Sequence, residues 1–192
     1  ICPVWTLNGT DEDVSAPDAA YWTQDDAGGA NGFSLTIWIK TSSTAAVMWS
    51  KRQSSGAGSW QSYITSSKLR LLVRDESVSA NCFRTEDAAS IVGTGWKQIT
   101  LTYSGAGANA ANGMLVYVDG VLVASTATNN SGGTYVGMED LTQLPHLFSD
   151  GSGTWLAGDV AGGCAGPTYS NAILTAEQVK NIYRIQKGAL AL

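Results

Sequence analysis

The sequence predicts an all-β chain, folded as an antiparallel two-sheet sandwich with one short helix at its C-terminus. Three observations carry that expectation. Apolar and polar residues alternate with the two-residue period of strands in several stretches rich in aromatic and β-branched side chains. Glycines, 22 of the 192 residues, stand singly or in pairs between those stretches, where tight turns need them. A helix-start signature occurs only near the C-terminus, at Thr175 to Gln178.

Taken in order, the first clear strand is Phe33-Ser34-Leu35-Thr36-Ile37-Trp38-Ile39. Val47-Met48-Trp49 and Trp60-Gln61-Ser62-Tyr63-Ile64 follow, split by a Gly/Ser loop at 54–59. Lys68 to Arg74 is entered through a turn at Ser66-Ser67. Trp96 to Tyr103 alternates along its whole length, which predicts one face in water and one in the core. Met114 to Val118 and Val121 to Val123 flank Asp119-Gly120. An Asp-Gly pair between two such runs predicts a type I′ hairpin, because both central residues need positive φ. At the C-terminus, Thr175-Ala176-Glu177-Gln178 fits a capping box, with Thr175 as the cap and Gln178 reaching back. Val179, Ile182, Tyr183 and Gln186 then recur at helical spacing and put a stripe on one side. The glycine-rich segments 104–113 and 129–133 read as surface loops, and no break in composition divides residues 1–192 into more than one domain.

Composition excludes several functions. Net charge is −5, pI is near 4.7, and the Lys and Arg residues are scattered along the chain. That is a poor footprint for a phosphate backbone, so nucleic acid is not an expected partner. No apolar run approaches the roughly 18 residues of a membrane span, and membrane insertion is not expected. Catalysis is not expected either. No strand carries the alternating acids that paired-carboxylate glycoside chemistry uses. The single histidine, His146, follows Pro145 without a serine or cysteine nucleophile context. Cys2, Cys82 and Cys164 lie far apart with no C-x-x-C pair, which argues against zinc. They are compatible with one long-range disulfide and a leftover thiol, or with three buried thiols. The chain starts at Ile1, as a processed product or one domain of something longer would.

Six motifs in sequence order resemble the laminin G-like and pentraxin group of the concanavalin A-like lectin/glucanase jelly rolls. Leu7-Asn8-Gly9-Thr10-Asp11-Glu12-Asp13-Val14-Ser15-Ala16-Pro17-Asp18 resembles that family's first-strand motif, F-D-G-x-D-D-Y-V-x-V-P-D. Phe33 to Lys40 is similar to F-T-I-S-A-W-V-K, and Trp49-Ser50-Lys51 to L-x-S-K. Trp96 to Tyr103 is similar to W-H-H-V-A-V-T-Y, Leu115 to Gly120 to L-Y-V-D-G, and Tyr169 to Val179 to the closing I-Y-N-R-A-L-S-x-E-E-I. Two stretches depart from the pattern. Gly158 to Pro167 replaces a regular penultimate strand, where the glycines predict a bulge or a close backbone approach and Pro167 cannot donate to a ladder. The insert from Thr134 to Gly153 is longer than the family's. The resemblance implies a jelly roll whose first and last strands pair. It thereby implies a Cys2–Cys164 bridge with Cys82 left out.

Two ligand chemistries follow as expectations. Calcium takes six to eight oxygens, and relatives often hold it at one end of the sandwich. Asp11 and Asp13 are the candidate ligands, with Glu139 and Asp140 or Asp25 and Asp26 as contributors. Solvated turn acids account for the same residues and weigh more, since no EF-hand spacing is present. Glycans are held by aromatic faces and a few fixed polar groups. Of seven tryptophans, Trp38, Trp49 and Trp96 fall at core phases of strands. Trp22, Trp60 and Trp155 stand near stretches with Gly or Ser and are the candidate glycan contacts at a loop rim. Fold analogy then favours a non-catalytic recognition or adhesion module, carbohydrate-binding, on an extracellular, cell-surface or virion-surface protein. The alternative is a structural decoration, fibre or assembly domain of a phage particle or other surface assembly. Its partners would be neighbouring protein subunits, in a homo-oligomer or a larger assembly.

Overall fold

A computed structural model describes residues 2–24, 31–52, 58–105 and 107–191. Its strands are β1 (Val4–Asn8), β2 (Val14–Ser15), β3 (Phe33–Lys40), β4 (Ala46–Arg52), β5 (Gly58–Thr65), β6 (Lys68–Asp75) and β7 (Ala80–Glu86). They continue as β8 (Lys97–Tyr103), β9 (Met114–Val118), β10 (Val121–Leu122), β11 (Ser125–Ser131), β12 (His146–Leu147), β13 (Ala157–Ala161) and β14 (Thr168–Ser170), before helix α1 (Ala176–Leu190). Sheet one runs β1-β13-β3-β8-β9-β10, with β14 also on β3; sheet two runs β11-β7-β6-β5-β4-β12-β2. All of these pairings are antiparallel. The result is the two-sheet sandwich that the alternation called for, with the jelly-roll form that the resemblance implied.

The core lies between the sheets, with Leu35, Ile37 and Ile39 of β3 and Leu69, Leu71 and Val73 of β6 among its members. The hairpin turn takes positive φ at Asp119 and Gly120, 53° and 76°, as a type I′ turn requires. Ser66 and Ser67 do the same at 50° and 65°. The capping box also forms. Thr175 Oγ1 accepts from Gln178 N at 3.3 Å, and Gln178 Oε1 accepts from Thr175 N at 2.8 Å. Such a cap contributes about 1 kcal/mol.

The structure corrects the expectation of a wet face on β8. Lys97 is half-buried and every other residue of the strand is buried. The outward side chains of Ser34, Trp38 and Gln98 on β3 and β8 meet α1 and its lead-in instead of water. Trp38 stacks on Tyr183 with ring centroids 5.6 Å apart. Trp38 Nε1 and Gln98 Nε2 each donate to Gln186 Oε1 at 2.8 Å. Ser34 Oγ donates to Ala172 O at 2.8 Å and accepts from Leu174 N at 3.0 Å. Buried polar groups must find partners, and the alternation here supplies them to a helix.

The two departures from the family pattern have physical explanations. β13 pairs β3 at Ile39 and Lys40, while β14 pairs the same edge at Ser34 to Thr36. Between them the chain leaves the ladder through a 3₁₀ turn, Gly163–Ala165. That excursion carries Cys164 to Cys2, and the two form a disulfide with Cα atoms 6.3 Å apart. Gly163 has φ +58°, and a Cβ there would lie 3.1 Å from Pro3. Cys82 stays outside the bridge, buried in the main core.

The insert after Thr134 is pinned to sheet two. Asp75 accepts from Val136 N at 3.0 Å and from Ser77 Oγ at 2.7 Å. Ser59 Oγ donates to Glu139 O at 2.7 Å, and Glu139 Oε1 accepts from Ser77 N at 2.9 Å. The fully buried Lys51 ammonium reaches Leu141 O at 2.6 Å, Asp18 at 3.0 Å and Asp140 at 3.4 Å. Glu139 and Asp140 therefore serve the insert's own attachment.

Candidate binding site

β1 ends sheet one and β2 ends sheet two, so these terminal strands border one open edge of the sandwich. A terminal strand lacks a neighbour on one side, so side chains on either of its faces keep some exposure. Val4, Trp5 and Val14 are 47%, 43% and 55% exposed. Two hollows meet at Val14. One, of about 290 Å³, is lined by Trp5, Leu7, Glu12, Asp13, Val14 and Phe148. The other, of about 190 Å³, has Trp22, Trp49, Pro145, His146 and Leu147 in its wall together with Val14 to Ala16.

Aromatic packing sets the two ends of this groove. The Trp5 ring meets Phe148 edge-on at 6.0 Å. Trp22, half-buried, packs against Tyr21 at 5.3 Å and Tyr169 at 4.9 Å. Burial pushes the Tyr169 phenol well above its usual range, so it stays a neutral donor, to Tyr21 O at 3.3 Å.

The acids beside the groove are committed to different partners. Asn8 binds two of them, its side-chain amide donating to Asp11 at 2.9 Å and its backbone N to Glu12 at 2.9 Å. Asp13 Oδ2 meets His146 Nδ1 at 2.6 Å and accepts from Ser149 Oγ at 3.1 Å. Ser149 thus points at the carboxylate and not at the imidazole, so this Ser/His/Asp set has no nucleophile–base pair. Next to it, Asp150 Oδ1 accepts from Ser152 N, Ser152 Oγ and Thr154 N at 3.0, 2.7 and 3.1 Å. Burial alone would raise its pKa, but these bonds outweigh burial and hold the carboxyl below the usual carboxylate range.

Of the residues singled out by sequence, Trp22 and Asp13 line the groove. Trp155 is half-buried beyond it, in a bridge with Ser149, the partner of Asp13. Trp60 is a correction. It is fully buried, stacked on Tyr169 at 5.7 Å, with its Nε1 donating to Trp22 O at 2.6 Å. Its Gly and Ser neighbours belong to β5, and Trp60 is on that strand's inward face, supporting Trp22 from behind. Trp38 and Trp49 are buried, whereas Trp96 is half-buried. Asp11 and Asp13 are held by different partners, Asn8 for the first and His146 with Ser149 for the second. Among the described residues no three His, Cys, Asp or Glu side chains gather as a metal site; Asp25 and Asp26 lie outside the described residues. Sequence reasoning passed over Trp5. Its only signal was an aromatic residue just ahead of the first-strand motif.

The sequence profile of a laminin G-type family, described as the concanavalin A-like lectin/glucanases superfamily, matches residues 8–158. No curated protein matches the chain by sequence. Among solved structures it is similar to the binding domain of Paraclostridial Mosquitocidal Protein 1, with a TM-score of 0.64 and 9% identity over 96% of this chain and 48% of that one. It is similar to the botulinum neurotoxin serotype D ligand binding domain in complex with N-acetylneuraminic acid (TM-score 0.60, 13% identity, 95% of this chain and 42% of that one). It is also similar to domains LG4-5 of the mouse laminin alpha1 chain (TM-score 0.53, 12% identity, 90% and 42%). The chain spans less than half of each, and identities this low speak for the fold alone.

Proposed function

The chain belongs to the laminin G-like family of the concanavalin A-like lectin/glucanases superfamily, and from that premise we propose a non-catalytic recognition module that binds carbohydrate in the edge groove. The observation that carries this reading is the exposed Trp5 ring beside Glu12 and Asp13, continued past Val14 to Trp22. Aromatic faces stack on the apolar faces of sugar rings, and carboxylates accept from sugar hydroxyls. A bound sugar acid in one structural relative supports the same ligand class. The Cys2–Cys164 bridge supports an oxidising setting such as a secreted or cell-surface protein.

A glycan array tests the proposal. Wild type binds a defined set of sugars, and Trp5→Ala and Trp22→Ala each lose that binding. Binding that survives both substitutions would remove the groove from consideration. Because Asp11 and Asp13 form no ready cage, repeating the array with a chelator measures whether calcium takes part.

A second reading rests on the same edge. Val4, Trp5 and Val14 form an exposed apolar border that a neighbouring subunit of a larger assembly would bury. A silent array together with concentration-dependent oligomers in sedimentation favours assembly over recognition.

A further inference from the structure

The outward face of sheet two differs from the rest of this acidic molecule. Along β6, Leu69, Leu71 and Val73 enter the core. Strand alternation therefore turns Lys68, Arg70, Leu72 and Arg74 outward. The outward neighbours across the ladder are Gln61 and Tyr63 on β5, and Asn81, Phe83 and Thr85 on β7. Thr126 and Thr128 of β11 extend the face, opposite Thr85 and Phe83. Arg52 joins it through a 3.2 Å bond from its Nη1 to Gln61 Oε1.

No acid of β4 to β7 shares this face; Asp87, directly after β7, borders it and accepts from Thr126 Oγ1 at 2.7 Å. Asp75 and Glu86, the acids of those strands, are inward and 2% exposed. Glu76, in the turn after β6, pairs with Arg74 at 2.5 Å. A chain of net charge −5 thus gathers Arg52, Lys68, Arg70 and Arg74 on one surface. From Lys68 to Arg74 the row runs about 20 Å at the usual rise of a strand.

Arg70 is held by rings as well as by hydrogen bonds. Its guanidinium lies 4.4 Å from the Phe83 ring centroid and 5.6 Å from that of Tyr63. Nε donates to Thr85 Oγ1 at 2.8 Å and Nη1 to Tyr63 Oη at 3.1 Å. Among the described residues Nη2 has no acceptor. A guanidinium fixed by two bonds and two rings, with one amino group left over, is arranged for an incoming carboxylate.

We propose that this face is a second ligand surface, separate from the edge groove, and that it takes an acidic saccharide whose carboxylate pairs with Arg70. The charge selects an anion. The surrounding polar side chains of Thr85, Thr128 and Asn81 suit a ligand rich in hydroxyls.

Calorimetric titration of the full chain at low ionic strength, with oligogalacturonate and with sialyllactose, tests the proposal. At least one binds, its methyl ester does not, and the response says which kind of sugar acid is read. Arg70→Lys keeps the charge and the stem but loses the fork. It weakens binding about tenfold or more, as loss of a charge-assisted bond does, with an unchanged melting temperature. Lys68→Glu, at the end of the row, weakens it in the same direction without touching Arg70. Trp22→Ala leaves the part of the binding that Arg70→Lys removes unchanged, which separates this surface from the groove. Neither sugar acid binding, equal binding of the ester, or an indifferent Arg70→Lys overturns the proposal. So does a single-stranded oligonucleotide binding as tightly, since that makes the face a general polyanion surface.

Discussion

Trp38 and Arg70 each sit mid-strand on the outward side of their sheet, and their surroundings could hardly differ more. Trp38 is 1% exposed, stacked on Tyr183 and bonded to Gln186 under α1. Arg70 is half-buried and, among the described residues, packs against the rings of its own sheet. Both belong to strands with the same two-residue alternation. What separates them is the C-terminal helix, which crosses sheet one and leaves the β5–β7 face of sheet two without a roof among the described residues. Alternation tells which residues point away from the core. What lies above them is decided by a segment more than a hundred residues away.

Substitutions can break or sharpen that contrast. Trp38→Ala should cost the most, about 3 to 5 kcal/mol for a buried aromatic, read from urea unfolding. Gln186→Leu leaves the Trp38 and Gln98 donors without their shared acceptor, a loss of about 1 to 3 kcal/mol in the same assay. Acid should act on both sheets more gently. Asp159 is held below the usual carboxylate range first by its bond from Lys40 and then by Thr6. Burial pushes Asp75 up, but its bonds from Ser77, Val136 and Gly137 win and its pKa also ends low. A carboxyl whose folded pKa is depressed stabilises above its unfolded value, about 3.9. That stabilisation is lost as pH falls from there through the lower folded value. Unfolding midpoints should thus hold steady above about pH 5 and drop below about pH 4, and Asp75→Asn should flatten the drop. Lys68→Ala, on the open face, should stay within about 0.5 kcal/mol of wild type. If Lys68→Ala matched Trp38→Ala, the distinction between roofed and open faces would fail.

Much of the fold could be read locally. The Asp119-Gly120 turn, the capping box at Thr175 and the strand from Phe33 depend on neighbours in sequence, and each is where the pattern put it. The misreadings depend on distant partners. Trp60 looked like a rim residue beside Gly58 and Ser59, yet Phe33 and Tyr169 close over it from sheet one. Trp5 is exposed because β1 happens to be the last strand of its sheet, which no local pattern records. In the groove, Trp22 and Asp13 were legible as an aromatic and an acid in loop-like surroundings. Their meeting across Val14 was not. The basic row was hidden in the same way, since Arg52 reaches Lys68, Arg70 and Arg74 only after β4 to β6 are laid side by side.

The bridge between Cys2 and Cys164 also has a mechanical consequence. Tension applied at residues 2 and 190 would cross from Cys2 straight to Cys164 and continue through β14 and α1. The intervening residues, 3 to 163, form a covalently closed loop that carries no load. A pull would therefore act first on the helix over Trp38 and on the β14–β3 pairing, while only a reductant would let the force run along the chain from residue 3 to residue 163.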